Sequence, residues 1–284
     1  MSQSEYVHGY TPRETTRLLD QAATLTGLLH AGTSYPAGSR VLEIGCGVGA
    51  QTLILADRNP GVGLFAVDIS RASLRRCRER LAAADLSRAS LHRHQKSPTD
   101  AAAGVRLLQA DLFSLPFAPE SFDHVFLCFV LEHLPNPEAA LSRLRAVLKP
   151  QGTLTAIEGD HGSAYFHPDS LCARRAIECL VALQARAGGD SLIGRRLYPL
   201  FAGAGFRQVR VCPCVVYADG GRPEMAEGFT RNTFAAMVEG VGERGLAAGL
   251  IDESTWRQGV ADLYRAAQPD GTFSYTFFKA VATR

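Results

Sequence analysis

Residues 40 to 52, Arg-Val-Leu-Glu-Ile-Gly-Cys-Gly-Val-Gly-Ala-Gln-Thr, constrain the fold of this chain more than any other stretch. Val41, Leu42 and Ile44 run into Gly45, Gly47 and Gly49 at alternate positions, the pattern of a buried strand turning tightly into a helix. Without a Cβ, such a turn lets a ligand lie against bare main-chain amides at a helix N-terminus. The site suits a small nucleotide-like molecule.

The spacing separates two kinds of cofactor. Dinucleotide enzymes use G-x-G-x-x-G, with the third glycine packing helix on strand; here Ala50 occupies that place and Glu43 precedes the turn. The alanine variant leaves a dehydrogenase reading open, with NAD binding as its test. After Gly49 comes the run Leu64-Phe65-Ala66-Val67-Asp68-Ile69-Ser70, which reads as a strand ending in an acid, Asp68, nineteen residues beyond that glycine and able to accept two hydrogen bonds from a ribose diol. Val105 to Asp111 repeats the strand-then-acid pattern. Phe122 to His133 runs from a strand into a helix start, and Leu148 to Glu158 closes the series.

Taken in order, VLEIGCGVG, AVDIS, QAD, FDHVFLCFVLEHL and LKPQGTL resemble the motifs of the class I methyltransferases that use S-adenosylmethionine (SAM). The LEHL and LKPQG wording is most similar to the ubiquinone and menaquinone methyltransferase-like group, which modifies small molecules. The resemblance implies an α/β, Rossmann-like, seven-stranded, mostly parallel sheet with an antiparallel last strand and helices on both faces. It adds an N-terminal lid segment and helix over 1–39, a cofactor-binding core over 40–221 and 269–284, and a helical substrate cap over 222–268.

Carried onto matching positions, Gly45, Cys46 and Gly47 would line the methionine end of SAM, with Glu43 supporting the loop or meeting the amino group. Asp68 would bind the ribose, Ile69 would pack on the adenine, Asp111 would accept from the adenine amino group between Ala110 and Leu112, and Phe129 would lie by the methionine portion. Tyr6 or Tyr10 could place a ring face near the sulfonium; both could equally be aromatics that anchor the first helix. The product would be S-adenosylhomocysteine.

Methyl transfer is an in-line displacement, so positioning supplies much of the rate. A hydroxyl or activated carbon needs a base, whereas a thiolate or neutral amine does not. His161 is the candidate base, with Glu158 and Asp160 as orienters; His133 has a catalytic and a structural reading, the structural one favoured. Tyr6, Asp160, His161, Phe229 and Met237 are the candidate acceptor contacts. The fourth segment ends in Phe126-Leu127-Cys128-Phe129 and lacks the Asn/Asp-Pro-Pro-Tyr/Phe motif of nucleobase methylation. This argues for a small, apolar or aromatic acceptor, quinone-like or from secondary metabolism, and the family resemblance leans slightly to methylation at carbon or oxygen. Methylation at sulfur or nitrogen, and a silent SAM-binding scaffold, stay open as alternatives.

Net charge is +2, which gives no polyanionic partner to expect. The arginines at 71, 75, 76, 78 and 80 are interrupted by Glu79 and Asp85 and lack interleaved aromatics, so they read as a solvated helix face rather than a nucleic-acid footprint. Arginine outnumbers lysine 27 to 3 throughout, a bias of the whole chain. Of the 284 residues, 46% are hydrophobic, ample for a core, yet no apolar run reaches membrane-spanning length. The expectation is a soluble cytoplasmic protein with no membrane partner, a homo-oligomer being left open. Seven cysteines, single apart from the lone C-x-C of Cys212 and Cys214, read as reduced thiols, and no metal is expected, from His92 and His94 or from His133, His161 and His167.

Thr11-Pro12-Arg13-Glu14 is a capping box, and Leu18, Leu19, Ala22, Leu25 and Leu29 keep helical spacing to about His30. Residues 86 to 104 are polar and aperiodic, the pattern of a mobile surface loop. Helices are expected at 169–187 and 193–204, and strands at 206–217 and 272–281, with Pro213 placing the former at an edge or a bulge. The largely helical 222–268 stretch between those strands can cap a site, although plain packing accounts for most of its apolar residues.

Overall fold

The computed structural model describes residues 12–91 and 104–284. Helix α1 (Pro12–Leu29) precedes β1 (Arg40–Ile44), α2 (Ala50–Arg58), β2 (Gly63–Asp68), α3 (Arg71–Leu91), β3 (Val105–Gln109), β4 (Phe122–Cys128), α4 (Pro137–Val147) and β5 (Leu148–Gly159). The chain continues through β6 (Tyr165–His167), α5 (Leu171–Arg186), α6 (Leu197–Gly203) and β7 (Arg207–Ala218). A helical stretch follows, α7 (Pro223–Met225), a π-wound segment Ala226–Ala235, α8 (Ala236–Glu239), α9 (Gly242–Ala247) and α10 (Glu253–Arg265), before β8 (Thr272–Thr283).

The strands form one eight-stranded sheet in the order β3-β2-β1-β4-β5-β8-β6, with β7 also paired to β8. Strands β1 to β5 pair in parallel and β8 is antiparallel to β5 and β7. Seven strands match the expected sheet. The eighth, β6, pairs only with Thr272 to Ser274 of β8, after the chain turns at the end of β5. Pro213 lies on β7, which pairs with β8 alone and is therefore an edge, where a missing N–H costs no ladder bond.

Both faces of the sheet are covered, which is why its central strands are continuous apolar runs. Leu42 and Ile44 of β1 join Leu127, Leu154 and Ala156 under α4 and α6. Val41 faces the opposite way, with Leu25 and Leu29 of α1, Leu55 of α2 and Ala176 and Leu180 of α5. Phe229 and Phe234 from the π-wound segment pack on Phe273, Tyr275 and Phe277 of β8, with ring centroids 4.9 to 6.0 Å apart. The helical stretch after β7 is thus held by aromatic burial onto the sheet.

Three local expectations change. Helix α3 runs to Leu91 and takes in the first part of the segment expected to be a loop; His92 and His94 lie outside the described residues. The stretch after β7, expected only as largely helical, opens with α7 and then winds as a π-helix over Ala226–Ala235, where the Thr233 hydroxyl donates to the Gly228 carbonyl at 2.8 Å. Gly228 also packs so closely on Thr24 of α1 that a Cβ there would collide with the threonine side chain. Finally, β8 runs two residues beyond its expected end. None of the described helices is long and apolar enough to cross a membrane.

Candidate active site

Strand order reverses at β1, whose neighbours β2 and β4 lead away in opposite directions, and the crevice at their carboxyl ends is where open α/β sheets bind ligands. Gly45 to Gly49 leave β1 there. Gly45 has φ 68° and packs on Val130, whose Cγ2 would stand 2.6 Å from any added Cβ. Gly47 has φ 52°, and a Cβ on it would meet nothing within 4 Å, so the loop presents open main chain. Asp68 at the end of β2 holds this loop: Oδ2 accepts from the Gly47 amide (2.8 Å) and Oδ1 from the Ser70 amide (2.7 Å). Each oxygen keeps a lone pair for a diol.

Ile69 follows with 56% of its surface exposed. Asp111 is exposed and accepts from the Phe113 amide at 2.9 Å, while Leu112 beside it is buried and Phe113 is exposed. Glu43 is enclosed beneath the glycine loop, with Oε2 unpaired among the described residues; burial pushes its carboxyl up to about 8. Cys46 is buried in the loop and its amide donates to the Val67 carbonyl. Phe129, after β4, takes φ 58°, a region costly for a bulky residue, and its ring lies 5.3 Å from Phe277.

A second, polar cluster lies beyond β4 and β5. The Glu158 carboxylate accepts from the amides of Val130 (3.1 Å), Leu131 (2.8 Å) and Glu132 (3.4 Å), tying the 131–133 turn to β5. His133 has Nε2 3.4 Å from Glu132 Oε1 and Nδ1 3.4 Å from the Gln184 amide nitrogen. His161 is buried, with Nδ1 2.7 Å from the Tyr275 hydroxyl and Nε2 unpaired among the described residues. Burial lowers the pKa of both histidines. On α1, Arg17 is buried with a bidentate pair to Glu14 (2.7 and 2.8 Å) and donates to Gln21, and its field reaches both histidines. Among the described residues no three His, Cys, Asp or Glu side chains form a metal-binding set.

A family model described as a methyltransferase domain matches residues 42–156, the span from β1 to β5. The span from β1 to β5 is therefore a methyltransferase domain of the class I, SAM-dependent kind. An uncharacterized 37.1 kDa protein in transposon Tn4556 of Streptomyces fradiae is 28% identical over 232 residues, covering 78% of this chain and 61% of that protein. The demethylmenaquinone methyltransferase of Thermus thermophilus is 27% identical over 181 residues, covering 54% and 74%. A Haemonchus contortus phosphoethanolamine N-methyltransferase 2, solved with phosphomonomethylethanolamine and S-adenosylhomocysteine, aligns with a TM-score of 0.60 at 16% identity over 100% of this chain and 60% of that one. That likeness is one of fold. The chain spans 61%, 34% and 48% of the length of the first three curated relatives it matches.

The structure brings Glu43, Gly45, Cys46, Gly47, Asp68, Ile69, Ala110, Asp111, Leu112 and Phe129 to the sheet's carboxyl edge. Tyr6 and Tyr10 lie outside the described residues. The expected orienters of His161 are otherwise engaged: Glu158 serves the three turn amides, and Asp160 is bound by Arg195 (2.6 and 2.7 Å) and the Gly162 amide (3.0 Å). Tyr275 stands in their place. Phe229 and Met237, expected at the acceptor, are buried in the core against β8 and its neighbours. The expectations missed Tyr275 and the α1 trio. The trio had a signal, since Glu14, Arg17 and Gln21 share one helical face with the apolar Leu25 and Leu29.

Proposed function

We propose that this chain transfers a methyl group from SAM to a small organic acceptor. When bound, SAM supplies an electrophilic methyl on a sulfonium, which an in-line nucleophile displaces to leave S-adenosylhomocysteine. The observation that carries the reading is the cradle at Gly47, open where a Cβ would stand and bridged to the Asp68 carboxylate. Its chemistry fits the cofactor part by part: Asp68 toward the ribose, exposed Ile69 and Asp111 toward the adenine, and the unpaired Glu43 oxygen toward the ammonium. Phe129 walls the methionine end.

The acceptor reading draws on the names of relatives, which include the Thermus thermophilus demethylmenaquinone methyltransferase and the 27-O-demethylrifamycin SV methyltransferase of Amycolatopsis mediterranei. By that likeness the acceptor is quinone-like or a tailored secondary metabolite, with carbon or oxygen receiving the methyl. The helical stretch over 222–268 closes the site as its cap. His161 contacts the acceptor, being the buried group with an unpaired ring nitrogen beyond β5.

Incubating the full chain with SAM and a panel of small quinols, phenols and 1,3-dicarbonyl compounds tests this. Release of S-adenosylhomocysteine together with an acceptor heavier by one CH2 is the expected result. SAM binding without turnover on any such compound would remove the quinone-like acceptor.

A further inference from the structure

We propose that Tyr275 is a positioning residue that holds the His161 imidazole with its proton on Nε2, so that His161 donates a hydrogen bond to the acceptor instead of removing its proton. The acceptor then carries an oxygen, carbonyl or carboxylate, beside the atom that is methylated. The words acceptor and methylated rest on the function proposed above; the tautomer does not.

The argument is one of hydrogen-bond accounting in a closed space. Tyr275 and His161 are both buried, and their hydroxyl and Nδ1 are 2.7 Å apart. A neutral phenol has one hydrogen to give, and burial holds the Tyr275 hydroxyl well above its ordinary pKa, so that hydrogen stays. The Asp160 backbone N–H also lies near its oxygen. The hydroxyl presses against Gly159, where a Cβ would collide with it. No other acceptor holds that hydrogen among the described residues, so the hydroxyl donates to Nδ1. The opposite arrangement would aim two N–H groups at one oxygen and leave a buried O–H hydrogen to find another acceptor.

A neutral imidazole carries a single N–H, and an Nδ1 that accepts puts that hydrogen on Nε2. Nε2 is buried with no partner among the described residues, in a protein where such groups are normally satisfied. The charged groups whose fields reach the ring are Glu132, Arg17, Asp160 and His133, from the 131–133 turn, α1 and the turn after β5. Asp160 is engaged by Arg195, Glu132 by His133, and Arg17 by Glu14, and the Phe234 ring stands edge-on at 6.1 Å. A chain of rings links this group to the cofactor cradle: Phe129 to Phe277 at 5.3 Å, Phe277 to Tyr275 at 4.7 Å, and Tyr275 to His161 at 5.9 Å.

The tautomer decides the chemistry. An Nε2 that holds hydrogen has no lone pair to take a proton, so His161 as placed is not the base. A hydrogen bond donated to the attacking atom would also withdraw the electron pair it needs. The oxygen that His161 serves is therefore a neighbour of that atom, where the same bond aligns the molecule.

The test is a long-range proton–nitrogen correlation spectrum of the full chain, labelled with nitrogen-15 at histidine, above pH 7 and without acceptor. Protonated Nε2 and unprotonated Nδ1 at His161, with that preference lost in Tyr275→Phe, is the expected result; a proton on Nδ1 overturns the proposal. A SAM titration of the same sample reports separately on the cofactor, so loss of the methyltransferase reading would leave the tautomer result standing. Once an acceptor is in hand, His161→Gln, whose amide nitrogen replaces Nε2, should stay within about tenfold of wild type, while His161→Ala should lose about 100-fold in turnover. A Gln variant as inactive as the Ala variant would overturn the donor role.

Discussion

At the scale of single residues, Asp68 does two things with one carboxylate. It binds the Gly47 and Ser70 amides and keeps lone pairs aimed at the crevice. Asp68→Ala should therefore remove both the loop tether and the ribose contact, and SAM affinity measured by calorimetry should fall at least about 100-fold, on the order of 3 kcal/mol. Near-native affinity would detach Asp68 from the cofactor. Glu43 offers a pH test. Its carboxyl is pushed up to about 8 by burial, so the folded state keeps a proton that the unfolded chain gives up above 4.5. Its contribution to stability is thus full below pH 4.5 and is lost as pH rises toward 8. Glu43→Gln, with no proton to lose, should match wild type in thermal melts near pH 4.5 and gain on it steadily toward pH 8. Parallel curves across that window would show that Glu43 titrates normally.

At the scale of elements, two joints hold the site together. The first is Glu158, which binds the turn after β4 to the end of β5 through three amides. Glu158→Ala strands buried N–H groups and should cost about 3 kcal/mol in urea unfolding. A loss under about 1 kcal/mol would mean that the turn is held otherwise. The second joint is the approach of the π-wound segment to α1 at Gly228 and Thr24. Gly228→Ala should force the two apart, costing about 1–3 kcal/mol and lowering the melting temperature. A melting temperature at or above wild type would show that the contact is slack.

At the scale of the whole molecule, the parallel half was legible because its signals are local. A strand's apolar run, its terminal acid at Asp68 or Asp111, and the glycines at 45 to 49 all sit within a few residues of one another. Beta strand β6 carries three residues and no period that could announce it. The π-wound segment packs at Gly228 against Thr24, far away in sequence. The partner of His161 lies 114 residues on, in a strand whose alternation said only that Tyr275 faces inward. Glu158 and Asp160 were the near neighbours in sequence, and in space they are engaged by the turn amides and by Arg195. The central claim is that the crevice between β1 and β4 is a SAM site. Isothermal titration of the purified chain with SAM, S-adenosylhomocysteine and NAD addresses it directly: micromolar binding of the first two and none of NAD is the predicted result, and NAD binding in place of SAM would contradict the account.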